Sequence, residues 1–243
     1  FDATGDGSAN DVLVFNFGQA NELLINDGAG WFARTTTGAA VERTDDSHGG
    51  VAFDADNDSD LDLYVTHLRE QTNTLYLNQG GGFTDKTSIV GLAGPSLRYT
   101  GFGTGAADFN QDGILDLYAA NGRVGKWRPQ FLDDDAYAEP DQVYEGQGRA
   151  RFKEVKPLGG TEEPYYATSR GMAFLDADGD ADLDVVVGDN HGRERLLMNV
   201  APSQGSGLLI SVLNADGAPA VGAIVTVTAG EMSLTRLVQP AFS

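Results

Sequence analysis

One acidic nine-residue loop recurs along this chain, and it restricts the fold more than any other feature. Three copies are clean: Asp54-Ala55-Asp56-Asn57-Asp58-Ser59-Asp60-Leu61-Asp62, Asp108-Phe109-Asn110-Gln111-Asp112-Gly113-Ile114-Leu115-Asp116 and Asp176-Ala177-Asp178-Gly179-Asp180-Ala181-Asp182-Leu183-Asp184. Each sets carboxylate or amide oxygens at offsets 0, 2, 4 and 8 from its first Asp. Carboxylates crowded on so short a turn repel one another unless a cation sits among them, and hard oxygen ligands at alternating positions suit Ca²⁺. An imperfect fourth copy opens the chain, running from Asp2 through Thr4 and Asp6 to Asn10 and Asp11. It has Thr at offset 2, and its last carboxylate comes one residue late.

The first Asp of each copy falls at 2, 54, 108 and 176, so the spacings are 52, 54 and 68 residues. A second signal repeats in phase: an apolar segment, a Gly-rich turn and an aromatic. It reads Leu23-Leu24-Ile25-Asn26 with Trp31-Phe32, Leu75-Tyr76-Leu77-Asn78 with Phe83, and Val143-Tyr144-Glu145 with Phe152. The fourth version, Leu196-Leu197-Met198-Asn199, lacks the aromatic. Short apolar runs bounded by Gly, Asn and Asp read as strands. In the second unit they predict strands near 50–53, 63–67, 74–78 and 83–86, with the acidic loop joining the first to the second. Four short antiparallel strands in roughly 50 residues is the blade of a β-propeller. The expected organisation is four blades over 1–205, approximately 1–46, 47–97, 98–165 and 166–205, and a different β segment over 206–243. In that segment Leu208–Leu213 and Gly222–Thr228 alternate with a β period, and Leu234–Val238 is a candidate third strand.

The formal charge of −20 opposes nucleic acid or an anionic membrane as partner. Four bound Ca²⁺ ions would still leave about −12. With no Cys there is no disulfide or thiolate site, and Ca²⁺ can staple an extracellular fold instead. No apolar run is long enough to span a bilayer. The chain opens at Phe1 inside a repeat, without a signal peptide, and reads as a piece of a longer polypeptide.

The in-phase loop and aromatic turn resemble the FG-GAP/VCBS repeat, the blade of integrin-type propellers. The stretch Gly222–Gly230 with the strand before it resembles the ASPIC/UnbV segment that follows such blades in cartilage-acidic-protein-like chains. Carried over by position, the resemblance implies three ligand sets. They are Asp54, Asp56, Asp58, the Asp60 carbonyl and Asp62; Asp108, Asn110, Asp112, the Ile114 carbonyl and Asp116; and Asp176, Asp178, Asp180, the Asp182 carbonyl and Asp184. The first copy would offer Asp2, Thr4, Asp6, Asn10 and Asp11 for a fourth Ca²⁺. The family's turn has Gly at offset 5. Gly113 keeps it, but Ser59 and Ala181 depart from it, so strain is expected there. An EF-hand is excluded, because Val65, Ala119 and Val187 stand where its bidentate Glu belongs.

No nucleophile elbow, Walker loop or His pair at metal-ligand spacing is present. His67 sits at offset 13, with Asn121 and Asp189 at the same offset and Asn16 equivalent after one insertion. These four either form a polar ring on one face or cap turns. His191 lies two residues past Asp189, and His48 is placed just before a strand. The insertion Gly122–Pro140, with Lys126-Trp127-Arg128 and Asp133-Asp134-Asp135, reads as a solvated loop or a partner-contacting one. The expected function is a non-catalytic, calcium-stabilised extracellular module for adhesion, matrix or surface assembly, meeting a protein or glycan partner. Two alternatives stand: an accessory or carbohydrate-binding part of a secreted hydrolase or lyase, and a subunit of a self-associating extracellular filament.

Overall fold

A computed structural model describes residues 1–4, 11–35, 38–80, 82–205, 208, 210–230 and 232–238. Among these the chain is all-β, and every paired strand is antiparallel. Strands β1 (Val12–Val14), β2 (Glu22–Asn26) and β3 (Phe32–Thr35) form the first sheet. A one-turn helix, α1 (Ala39–Glu42), leads into the second sheet: β4 (Ser47–Phe53), β5 (Asp62–His67), β6 (Thr74–Asn78) and β7 (Phe83–Asp85), in sequence order. After α2 (Ala93–Ser96) come β8 (Gly101–Ala107) and β9 (Asp116–Asn121). Next is the short β10 (Glu139–Pro140), then β11 (Gln142–Gly146) and β12 (Phe152–Glu154), which complete the third sheet with β8 and β9. Strand β13 (Tyr166–Ala167) pairs with β10. The fourth sheet is β14 (Ser169–Leu175), β15 (Asp184–Asp189) and β16 (Arg195–Leu197). Sheets two and three thus have the four strands expected, whereas one and four have three among the described residues.

The pleat explains why the middle strands are buried on both sides. Successive side chains of a strand point to opposite faces. In β5, Leu63 and Val65 enter one core with Leu23, Val41 and Phe83. Tyr64 enters another with Leu117, Tyr144 and Phe152. In β9, Leu117 belongs to that second core, while Tyr118 and Ala120 pack with Met172, Val185 and Val187. The sheets therefore stack face to face in chain order, and each inner sheet is a wall of two cores.

The first strands β4, β8 and β14 lie alongside one another. Glycine permits the approach: a Cβ on Gly49 would stand 2.3 Å from the Phe102 carbonyl oxygen, and one on Gly103 would stand 2.7 Å from that of Arg170. All three strands carry a bulge at the same place, between Ser47 and Gly49, Gly101 and Thr104, and Ser169 and Met172. The bulged residues His48, Phe102 and Arg170 stack from one sheet to the next. The His48 and Phe102 rings lie 4.4 Å apart and 4° from parallel, the Arg170 guanidinium sits 4.0 Å over Phe102, and Phe17 extends the row at 6.0 Å from His48. His48, expected just before a strand, is inside β4.

Residues 122–140 are pinned to the sheets at their two ends, whereas the middle, with Lys126, Arg128, Asp133 and Asp134, is exposed. The Arg123–Glu139 ion pair, 3.2 Å long, is buried at both ends. Arg123 also donates to the Trp127 carbonyl at 2.7 Å and lies 4.8 Å over Phe131, which stacks on Tyr166. Beyond 205 the expected strand over 208–213 is absent among the described residues, where Leu213 makes only an isolated bridge to Pro219. Strands β17 (Ile224–Ala229) and β18 (Met232–Leu237) form a hairpin.

Candidate metal centres

Each complete acidic loop is shaped by its own first and last Asp. The first Asp folds the turn. Asp54 accepts the backbone N–H groups of Asp58 and Ser59 at 3.1 and 3.0 Å, Asp108 those of Asp112 and Gly113 at 3.0 and 2.8 Å, and Asp176 those of Gly179 and Ala181 at 2.7 and 3.1 Å. The turn needs left-handed backbone at offsets 3 and 5. It is found at Asn57 and Ser59, Gln111 and Gly113, and Gly179 and Ala181. Ser59 (φ 79°) and Ala181 (φ 71°) therefore carry the strain their departure from Gly implies.

The last Asp ties the loop to its sheet. One Asp62 oxygen accepts the Ala55 N–H at 2.7 Å and the other that of Asn78 at 2.8 Å. Asp116 does the same with Phe109 and Gly146, Asp184 with Ala177 and Asn199, and Asp11 with Ala3 and Asn26. Asp11 thus keeps this role despite the inserted residue, while Asp6 and Asn10 lie outside the described residues. Asp2 accepts the Thr4 N–H at 3.2 Å.

Two clusters bring carboxylate oxygens within 4.8 Å of one another and could hold a metal ion: Asp54, Asp56 and Asp58, and Asp176, Asp178 and Asp184. In the third loop Asn110 donates to Asp112 at 3.3 Å. Asp60 accepts the Gly80 N–H at 2.9 Å, and Asp180 accepts that of Asp182 at 3.0 Å. The donor set fits a cation on two further grounds. Asp56 Oδ1 is buried without a hydrogen-bond partner, a costly state for an anionic oxygen. Burial, followed by the charges of Asp58 and Asp54, also holds the Asp56 carboxyl above its ordinary pKa, and burial pushes Asp62 and Asp116 each up to about 7. A cation among these oxygens would reverse that shift.

The C-terminal hairpin lies on this same face. Asn57 Nδ2 donates to the Ser233 carbonyl at 2.6 Å, Ser59 Oγ is 3.3 Å from Thr235 Oγ1, and Arg236 Nη2 donates to the Gly113 carbonyl at 3.1 Å. Burial disfavours the Arg236 charge, whereas Asp108 and Asp54 favour it. Nothing in the local sequence announces this contact, because it joins residues 176 and 123 positions apart.

The offset-13 residues sit at turns, where three of them are capped by another side chain. The backbone N–H of Asn16, His67 and Asn121 donates to Asn21, Asn73 and Asp141 at 2.9, 2.9 and 2.8 Å, and Asp189 accepts the His191 N–H at 2.9 Å. His67 differs from the others. Its ring is fully buried, and neither nitrogen has a hydrogen-bond partner. The Thr72 backbone lies near enough to favour its protonation without meeting hydrogen-bond geometry.

Residues 54–119, which span the second and third acidic loops and the strands between them, match the FG-GAP-like repeat. No curated protein matches the chain. Among solved structures it is similar to an Agrocybe aegerita lectin, described as showing specific recognition of non-reducing terminal N-acetylglucosamine. The identity is 15%, over 93% of this chain and 70% of that one, with a TM-score of 0.38. No helix among the described residues is long and apolar enough to cross a membrane.

Proposed function

We propose that the chain is a calcium-stabilised, non-catalytic β-propeller module of the extracellular space or cell surface, binding a protein or glycan partner in adhesion or matrix assembly. The observation that carries the reading is the acidic turn itself. Its backbone is left-handed at the same two offsets in three units, and in two of them, among the described residues, it gathers three carboxylates. Hard oxygen donors from side chains and backbone, with no nitrogen or sulfur, favour Ca²⁺ over transition metals. The FG-GAP-like match covers two of these loops, and such repeats typically belong to extracellular or surface proteins. Sheets stacked in chain order with their first strands side by side support blades around an axis over 1–205. The segment over 206–243, which carries the β17–β18 hairpin, is assigned, on the sequence resemblance alone, to an ASPIC/UnbV-like segment of the cartilage-acidic-protein-like type.

Thermal unfolding with Ca²⁺ and with EDTA, and elemental analysis of the same sample, test this. Each occupied site adds about 2.7 kcal/mol at a hundredfold excess over Kd. Three or four calcium ions per chain and a large EDTA-induced fall in Tm are expected. A chain free of calcium whose Tm ignores EDTA overturns the reading.

A further inference from the structure

A cleft of 640 Å³ opens between the second and third sheets. Its floor is apolar, formed by Leu77 of β6 and Val90, with exposed Ile89 at the rim. Its charged groups are Lys86, Arg149 and Arg151, and among the described residues no acidic one lines it. That is unexpected in a chain with 36 acidic and 16 basic residues. Among the described residues none of the three cations forms an ion pair; the pairs present use other partners. Three cations lining one cleft without counter-charge favour an anionic ligand there.

The backbone adds a second observation. Gly148, Arg149 and Ala150 are left-handed in succession, with φ of 73°, 56° and 54°. Glycine would adopt this at 149 without strain, whereas a side chain there costs roughly 1–2 kcal/mol. The turn is held from both sides: Ala150 N–H donates to the Ala55 carbonyl at 3.0 Å and Phe152 N–H to that of Val90 at 2.8 Å. Strain that the surroundings enforce, at a residue facing a cleft, marks a candidate functional position.

We propose that this inter-sheet cleft recognises an acidic sugar, a pyranose unit bearing a carboxylate or sulfate. The volume lies in the range of small-ligand sites. The apolar floor calls for a carbon skeleton rather than a bare inorganic anion. Arginine forks suit planar carboxylate and sulfate oxygens, and the Gln147 amide on the wall can meet a hydroxyl. The site rests on the glycan-partner reading above but not on calcium, since none of these cations belongs to an acidic loop.

The test is calorimetric titration of the full chain, in excess Ca²⁺, with glucuronate, a glucuronate-containing tetrasaccharide, its neutral carboxyl-reduced counterpart, inorganic sulfate and a poly-glutamate peptide. Calcium content of the same sample is counted, so a metal-free protein and an unfilled cleft are separate results. Binding of the tetrasaccharide, absent for its neutral counterpart and weakened at least about tenfold by Arg151→Ala, supports the proposal. Equal binding by glucuronate then identifies a single terminal unit as the ligand, and binding by the tetrasaccharide alone a polysaccharide. The variant Arg149→Gly removes guanidinium and strain together, so it should melt higher while binding at least tenfold more weakly. No binding, equal binding by sulfate or peptide, or affinity unchanged in both variants overturns the proposal.

Discussion

Acidification should cost this protein stability at one histidine. His67 is fully buried in β5, and its ring nitrogens have no hydrogen-bond partner. Burial pulls its pKa down to about 4; the Asp45 charge opposes this, and Arg43 and His48 add to it. In the unfolded chain the ring titrates near 6.5. Between those values the unfolded chain holds a proton that the folded one does not, so stability falls as pH drops through that window. The difference, about 2.5 units at roughly 1.4 kcal/mol each, is about 3 kcal/mol. Other groups pull the opposite way. Asp62, Asp116 and Glu139, all raised to about 7 by burial, protonate first in the folded state and regain stability as pH falls toward 4. The wild-type curve is therefore a difference of large effects, and a variant isolates one of them. His67→Asn installs the residue type that the third unit carries at this position, Asn121. Urea denaturation in EDTA, at about pH 7 and about pH 4, should show wild type losing about 3 kcal/mol more than His67→Asn. Parallel curves for the two proteins would refute the reasoning.

Three further outcomes are expected. Asp62→Asn should cost about 2–4 kcal/mol in urea denaturation without Ca²⁺, because one of its two buried N–H contacts loses its acceptor, while Asp60→Asn, with one exposed contact, should cost under about 0.5 kcal/mol. Ser59→Gly and Ala181→Gly should each raise stability by about 0.5–1 kcal/mol by relieving left-handed backbone, measured as a higher urea midpoint at unchanged slope. Arg236→Gln should leave the sheets intact, speed proteolytic cleavage of the 224–237 hairpin and tighten calcium binding a few-fold, since a positive charge beside Asp54 and Asp108 is gone; calorimetry and limited proteolysis read the two effects.

Much of the fold was legible because each unit repeats two strong local signals. The run Thr74–Asn78 is a strand with the bounds its composition implies, and Leu63–His67 gains only Asp62. The last Asp of each loop was legible as polar and recurrent, but not as a two-oxygen tie to the third strand, because Asn78 and Gly146 are distant in sequence. The bulges at His48, Phe102 and Arg170 left no trace, since those residues share no chemistry in sequence and meet only when the sheets stack. Residues 122–140 read as a solvated or partner-contacting loop from their place as an insertion, and their middle is exposed; the burial of the paired Arg123 and Glu139 at the two ends was not legible, because the partners lie 16 residues apart. Among the described residues of 208–213 no strand forms, and Leu208 and Leu213 stay largely exposed with no sheet to cover them.

The alternation of β5 and β9 between two cores makes each inner sheet a shared partition. Stability in such an array is a sum over units and the interfaces between neighbours, as in a one-dimensional chain of coupled spins. A defect in Tyr64 or Leu117 therefore weakens the boundary between sheets two and three, while Tyr118 transmits its loss toward sheet four. The interior pair is clamped from both directions and the outer sheets from one. Opening should begin at the two ends and travel inward, so the centre of the array is the last part of the molecule to exchange its amide hydrogens with solvent.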